Sequence, residues 1–178
     1  MSTRLLWPDA ADPPVLNVTT LLEQLVGESI RAQVLHQVLT VVERSDVALY
    51  RGLWSPGEEI LLRAVLLRGT PSGRAYLHAT ASIALCQLPL AVRRGLLSSD
   101  VPFGRLLQTA QVRVTRTDLL GADQSLGDLC LLFDGLSPAT RAVRRSYVMR
   151  LQEGIAVAHL VETFPLSLTQ TALVAPQL

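Results

Sequence analysis

Two charged residues lie inside otherwise apolar segments of the sequence. Arg63 interrupts the run from Ile60 to Leu67, and Glu162 interrupts the run from Ile155 to Phe164. A strand that is apolar on both faces is buried on both faces, and an isolated buried charge is very costly. Each charge must therefore be paired or must contact a ligand. A buried guanidinium and a buried carboxylate together indicate a pocket for a small anionic molecule that also carries a hydroxyl group.

Each of these charges also has a purely structural interpretation. Arg63 could pair with a neighbouring acid or extend from an edge strand towards solvent, and Glu162 could be a satisfied core carboxylate. Periodicity alone leaves these alternatives open. The occurrence of both charges on strands far apart in sequence favours a shared pocket, in which Arg63 would hold a carboxylate through two N–H donors.

The segment Pro102-Phe103-Gly104 is a third candidate element of the pocket. Asp100 and Pro102 predict the start of a helix here, with Asp100 as its N-cap. A glycine near a helix start leaves backbone N–H groups accessible to an anion, so Gly104 is a candidate contact. An ordinary helix entry explains the same residues.

The composition excludes several classes of protein. The chain has 178 residues, 49% of them hydrophobic, which is enough for one domain with a substantial core. The net charge of +1 does not indicate nucleic-acid binding. All 16 basic residues are arginine, so Schiff-base chemistry on a lysine is impossible.

Recognisable nucleotide-binding, metal-binding and nucleophile motifs are absent from the sequence. There is no Gly-x-Gly-x-x-Gly, Walker or Gly-x-Ser-x-Gly motif. His36, His78 and His159 lack metal-ligand spacing, and no Cys-x-x-Cys occurs. We therefore expect no metal or other cofactor. Cys86 and Cys130 lie in apolar contexts and are predicted to be buried free thiols in a reducing compartment.

The sequence predicts a cytoplasmic protein. The N-terminal residues contain no apolar core long enough for a signal peptide. No segment reaches the roughly 18 uncharged apolar residues that a membrane span requires. We expect a small-molecule partner and no nucleic acid, in a monomer or small homo-oligomer.

The order of predicted elements is typical of an α+β fold. Capping-box spacing from Thr20 to Glu23, followed by Gly27, predicts a helix over 18–26. Helices are also predicted over 88–97 and from 100 onward. Alternation and β-branched runs predict strands over 29–42, 60–67, 74–83, 111–119, 128–133, 141–151 and 155–164, with 47–50 as a further candidate.

Short turns between consecutive strands imply antiparallel pairing. Ser55-Pro56-Gly57 and Gln152-Glu153-Gly154 are two such turn signals, and Pro165 is expected to end the last strand. The predicted fold is a single antiparallel β-sheet with short helices packed on one face. Residues 1–178 are expected to form one domain, of which residues 1–17 are a loose N-terminal arm.

A set of short motifs, taken in order, resembles the chorismate lyase superfamily over residues 18–168. The resemblance is to the chorismate pyruvate-lyases, particularly their shorter divergent branch, and the same fold occurs in the UTRA effector-binding domains of bacterial repressors. The matching motifs are Arg63-Ala64-Val65-Leu66-Leu67-x-Gly69, Ala79-x-Ala81-x-Ile83, Leu88-Pro89, Pro102-Phe103-Gly104-x-x-Leu107, and Gly154 followed by Glu162-x-x-Pro165.

This resemblance implies a cofactor-free lyase that converts chorismate to 4-hydroxybenzoate and pyruvate, for quinone or phenolic biosynthesis. In that family the arginine matching Arg63 binds the ring carboxylate, and the glutamate matching Glu162 contacts the ring hydroxyl. These two residues are the expected catalytic residues. Loss of pyruvate makes the ring aromatic, so orientation, desolvation and modest proton handling would suffice.

The resemblance also implies further substrate-binding residues. Phe103 and Gly104 match residues that lie against the ligand, although the family usually has leucine at the position of Phe103. Val34 corresponds approximately to a pocket residue of the first strand. A second arginine that the family often carries near Thr80 is missing. Chorismate carries two carboxylates, so a second cation is expected at the enolpyruvyl carboxylate. Arg145 and Arg116 are the candidates, and strand parity does not decide between them. Arg145 is the predicted substrate-binding residue.

A non-catalytic binding domain of the UTRA type, which would bind a small aromatic acid, is the alternative hypothesis. A helix-turn-helix domain normally precedes such modules, and about 17 residues precede the first predicted helix. The lyase is therefore the predicted function. Tight binding of 4-hydroxybenzoate without turnover of chorismate would favour the sensor.

Overall fold

Six strands form one antiparallel sheet in the computed structural model, which describes residues 17–48, 50 and 52–167. The strands are β1 (Ile30–Val41), β2 (Glu59–Gly69), β3 (Ala75–Ile83), β4 (Val114–Ser125), β5 (Arg141–Leu151) and β6 (Ala156–Pro165). Their order across the sheet is β1-β2-β3-β6-β5-β4, and every neighbouring pair is antiparallel. The prediction of an α+β fold with a single antiparallel sheet is confirmed.

Three short α-helices and two 3₁₀ segments accompany the sheet. The helices are α1 (Val18–Val26), α2 (Leu90–Ser98) and α3 (Phe103–Thr109), and the 3₁₀ segments are Leu85–Gln87 and Gly127–Leu132. The first helix has the predicted bounds, and Gly27 ends it with a left-handed φ of 70°. Its N-cap is Asn17, whose side chain accepts a hydrogen bond from the Thr20 amide at 2.8 Å. Glu23 does not close the predicted capping box, because its carboxylate instead accepts from the Ile30 amide.

Several local predictions were wrong. The apolar run at 128–133 is not a strand but lies in the 3₁₀ segment Gly127–Leu132, which shows that a short apolar run does not by itself distinguish the two. Val47 and Ala48 lie in a turn instead of pairing with β1. Asp100 does not cap α3, because the helix begins later than predicted, at Phe103, and its N-cap is Pro102. The main-chain carbonyl of Asp100 accepts from the Ala32 amide of β1.

The cysteines only partly match the prediction. Cys130 is a buried free thiol as expected, whereas the free thiol of Cys86 is exposed at the 3₁₀ segment after β3. The predicted loose arm lies outside the described residues, except for Asn17. Among the described residues, no helix is long and apolar enough to cross a membrane.

Gly69 at the end of β2 lies directly beneath the carboxylate of Glu28. That carboxylate accepts hydrogen bonds from the Tyr76 hydroxyl at 2.5 Å, the Ser72 hydroxyl at 2.7 Å and the Ser72 amide at 3.1 Å. These bonds, the one from Tyr76 foremost, hold the pKa of Glu28 below its usual value. A β-carbon on residue 69 would overlap the carboxylate group itself.

Replacing Gly69 by alanine is therefore expected to lower the free energy of unfolding by about 1–3 kcal/mol, because the added methyl group displaces a carboxylate that three donors hold. Urea denaturation measures the change. Gly121→Ala is the matched control, since a β-carbon at position 121 of β4 meets no atom within 4 Å. Equal losses in the two variants would show that the Glu28 contact is not the cause.

Candidate functional site

A cavity of about 70 Å³ lies between one face of the sheet and the N-terminal ends of α1 and α3. Its wall is mostly apolar, with a few polar groups, as is usual for small-molecule sites. The charged side chains of the wall are Arg63, Arg116 and Glu162, and Tyr147 lies among them. The remaining lining residues are Asn17, Val18, Thr19, Ala32, Val65, Leu67, Leu77, Ala79, Ala81, Ile83, Pro102, Phe103, Gly104, Met149 and Leu160.

The register of the sheet brings distant segments of the sequence to this one face. Arg63 on β2 pairs with Ala81 on β3, which pairs with Leu160 on β6, which pairs with Tyr147 on β5. Side chains two residues apart on a strand share a face, so Glu162 lies beside Leu160 on the same side of the sheet. Two antiparallel hairpins that meet at β3 and β6 therefore position the polar groups of the cavity.

Polar contacts between α1 and α3 hold the helical side of the cavity. The Asn17 side chain donates to the Gln108 side chain at 2.7 Å, and Arg105 of α3 forms an ion pair with Glu23 of α1. A β-carbon on Gly104 would lie 3.0 Å from the β-carbon of Asn17. The start of α3 can approach the cap of α1 this closely because residue 104 is glycine.

Glu162 is buried, with 4% of its surface exposed, and both of its carboxylate oxygens have protein partners. Oε2 accepts from Arg145 Nε at 2.5 Å, and Oε1 accepts from the Tyr147 hydroxyl at 3.0 Å. Burial, and secondarily the Glu162 charge, raise the pKa of Tyr147 well above its usual value, so the phenol stays a neutral donor. The ion pair with Arg145 therefore balances the charge of Glu162, while Tyr147 supplies a neutral hydrogen bond.

Arg63 is also buried, with 5% of its surface exposed, but its partners are main-chain carbonyls. Nη1 donates to the Leu96 carbonyl at 2.5 Å, and Nη2 lies 3.4 Å from the Ser99 carbonyl. Both acceptors belong to the C-terminal end of α2, where the helix dipole favours a cation. Burial lowers the pKa of the Arg63 guanidinium, but an arginine remains charged in a protein. Its carbonyl acceptors satisfy hydrogen bonds without neutralising that charge.

Arg116 extends into the cavity from β4. Its guanidinium carbon lies 5.2 Å from the centre of the Tyr147 ring, a distance typical of a cation–π contact. Its Nε is buried, and no described residue accepts a hydrogen bond from it. Arg145 approaches the same ring at 5.3 Å, so Tyr147 separates an arginine that is paired with Glu162 from one that is not.

The structure brings together most of the residues that the sequence nominated. Arg63, Glu162, Phe103 and Gly104 all line the one cavity, although they lie on β2, β6 and α3. Arg63 and Glu162 both line a pocket, so neither a pocket-free core nor charges directed to solvent describes this arrangement. Their contacts are nevertheless those of the structural interpretation, because Glu162 is a satisfied core carboxylate and Arg63 is bound to main-chain carbonyls. Arg116, the second candidate for an additional cation, lines the cavity as well.

Two residues that were predicted to bind the ligand lie outside the cavity wall, and one residue of the wall was not predicted. Val34 pairs with Val65 but is 39% exposed on the edge strand β1 and does not line the described cavity. Arg145 is buried against Glu162 and does not line it either. Tyr147 was missed, although its position two residues after Arg145 on a predicted strand placed both on one face.

The comparisons with known proteins give a likeness of fold. No protein-family model and no curated protein matches the sequence. A possible transcriptional regulator from Bacillus subtilis, YydK, matches with a TM-score of 0.58 at 10% identity, over 78% of this chain and 58% of that chain. A GntR-family transcriptional regulator from Bacillus cereus matches with a TM-score of 0.53 at 11% identity, over 76% of this chain and 91% of that chain. The effector domain of PhnF from Mycobacterium smegmatis matches with a TM-score of 0.57 at 14% identity, over 82% of this chain and 86% of that chain.

These likenesses confirm the chorismate lyase-like, UTRA-like fold and overturn the predicted activity. The chain spans 58% of YydK, so the comparison with that protein concerns one part of it. The similar structures are transcriptional regulators and an effector domain, so the prediction of a lyase was wrong. The observed contacts of Glu162 are those of a buried ion pair, with one oxygen held by the Arg145 guanidinium and the other by the Tyr147 phenol.

Proposed function

We propose that the chain is a non-catalytic domain that binds a small aromatic acid and acts as a sensor. The observation that carries the proposal is the cavity itself, whose apolar wall holds a buried arginine with an uncompensated charge. Apolar side chains from β3 and β6 would contact the ring. Arg63 would hold the carboxylate through the donors that the α2 carbonyls leave available.

The group formed by Tyr147 and Glu162 would receive a polar substituent on the ring, such as a hydroxyl. A carboxylate oxygen has two lone pairs, so Glu162 retains acceptor capacity beside its bonds to Arg145 and Tyr147. The likeness to the PhnF effector domain supports a binding role for this fold. Phe103 and Gly104 at the start of α3 would close the site on its helical side.

Calorimetric titration with 4-hydroxybenzoate tests the proposal. We expect saturable binding at one site per chain with a Kd below about 1 mM, and no release of pyruvate from chorismate. 4-Hydroxybenzyl alcohol, which has the ring and hydroxyl but no carboxylate, is the control ligand and is expected to bind at least about tenfold more weakly. Pyruvate release, or equal affinity for the two ligands, would contradict the proposal.

A further inference from the structure

Arg116 is the one cavity-lining arginine of the described residues for which no acceptor is observed. Arg63 donates to two carbonyls of α2, whereas Nε of Arg116 is buried with no acceptor among the described residues. Leaving a buried charged donor unsatisfied costs free energy, and such groups call for an explanation. A bound anion would provide both the missing acceptor and the missing opposite charge.

Nearby acidic side chains do not supply that charge. Asp118, two residues further along β4, is exposed and lies 3.8 Å from Arg150. Glu162 is already paired with Arg145. The described cavity wall therefore carries the positive charges of Arg63 and Arg116 without a carboxylate to balance either of them.

An irregularity of strand β4 begins just after Arg116. Arg116 pairs with Met149, another lining residue, and the register of β4 shifts immediately afterwards, between Thr117 and Leu120. Asp118 within this bulge has a left-handed φ of 55°. Bulges of this kind redirect side chains beside functional sites, and a non-glycine residue in this conformation is unusual.

The two uncompensated cations flank the cavity. Arg63 lies on β2 and Arg116 on β4, which are four strand spacings apart in the sheet, or roughly 19 Å between their backbones. The intervening strands β3, β6 and β5 supply the floor of the cavity, and both long side chains contribute to its wall. A ligand that satisfies both must carry anionic groups at two separated positions.

We propose that Arg116 holds a second anionic group of the ligand, so that the site selects aromatic dianions, such as dicarboxylates, over monocarboxylates. The inference rests on the proposed binding function and assigns the ligand class. Arg63 holds the first anionic group, the apolar wall contacts the ring, and Arg116 holds the group at the opposite end.

Titrations with benzoate and terephthalate, which differ by one carboxylate on the opposite side of the ring, test the inference. We expect the wild-type chain to bind terephthalate about tenfold to a hundredfold more tightly, the range of a charge-assisted contact. Arg116→Gln should abolish this preference by weakening the binding of terephthalate. Arg113→Gln, which alters an exposed arginine three residues earlier, should leave both affinities unchanged.

If Arg116→Gln does not fold, Arg116→Lys is measured instead and should reduce the preference, because an ammonium lacks the planar pair of donors. A wild-type chain without preference for terephthalate overturns the inference, and so does a preference that survives both substitutions. If benzoate and terephthalate bind equally well and both depend on Arg63, only this inference fails. If neither compound nor 4-hydroxybenzoate binds, the proposed function fails with it.

Discussion

Replacing Glu162 by leucine is expected to lower the free energy of unfolding by about 3–5 kcal/mol. The substitution removes the carboxylate that balances the buried charge of Arg145 and accepts from Tyr147. Removing one member of a buried ion pair is costly because the desolvated partner keeps its charge. Urea denaturation at neutral pH, followed by circular dichroism, measures the loss.

A double variant and an exposed pair serve as controls. Arg145→Met combined with Glu162→Leu should recover most of the loss, because an apolar pair of similar volume often replaces a buried ion pair at little cost. Asp123→Ala removes a partner of Arg141 in an ion pair between β4 and β5 whose side chains are 58% and 69% exposed. It should cost less than about 1 kcal/mol. A loss from Glu162→Leu as small as that from Asp123→Ala would refute the assigned role.

The burial of the Arg63 and Glu162 side chains could be predicted from the local sequence. Arg63 and Glu162 interrupt long apolar runs, and such runs become central strands that neighbours cover on both sides. The positions of β2 and β6 within the sheet confirm this burial. The hairpin between β5 and β6 was equally predictable from the sequence, since Gly154 marks its turn and apolar and polar residues alternate in the flanking segments.

The partner of Glu162 was not predictable, because it depends on a one-residue irregularity. Counting back from the turn in a regular hairpin would place Arg145 opposite Val161. The register of β5 and β6 shifts between Met149 and Arg150, and this shift places Arg145 opposite Glu162 instead. A slip of one residue moves a side chain to the other face of a sheet, so the ion pair depends on a bulge that no local motif signals.

The hydrogen-bond partners of Arg63 could not be predicted from the sequence, for a different reason. Its donors reach the carbonyls at the end of α2, which lies over 30 residues further along the chain. Such a contact arises from the packing of a helix on the sheet, and strand periodicity carries no information about it. The resemblance to the chorismate lyase superfamily indicated the correct fold but the wrong activity, because one fold hosts unrelated functions and function depends on the particular site.

Arg63→Met is expected to weaken the binding of 4-hydroxybenzoate by about a hundredfold, because it removes the charge-assisted contacts to the ligand carboxylate. Methionine fills much of the volume of the arginine stem, and exchanging a buried charge for an apolar group is often tolerated, so the fold should persist. Calorimetry measures the affinity, and thermal unfolding without ligand verifies the fold. Arg63→Lys should give an intermediate affinity, since it keeps the charge but loses the planar donors.

The matched control for Arg63 lies on the helix that it contacts. Arg93 of α2 donates to the Leu88 carbonyl at 2.7 Å and does not line the described cavity. Arg93→Met therefore removes an arginine–carbonyl bond of the same kind and should leave the affinity for 4-hydroxybenzoate within about twofold of the wild type. If Arg63→Met and Arg93→Met weakened binding equally, the effect would come from anchoring α2. If neither did, Arg63 would be a structural tie between sheet and helix, and its buried charge would serve the fold alone.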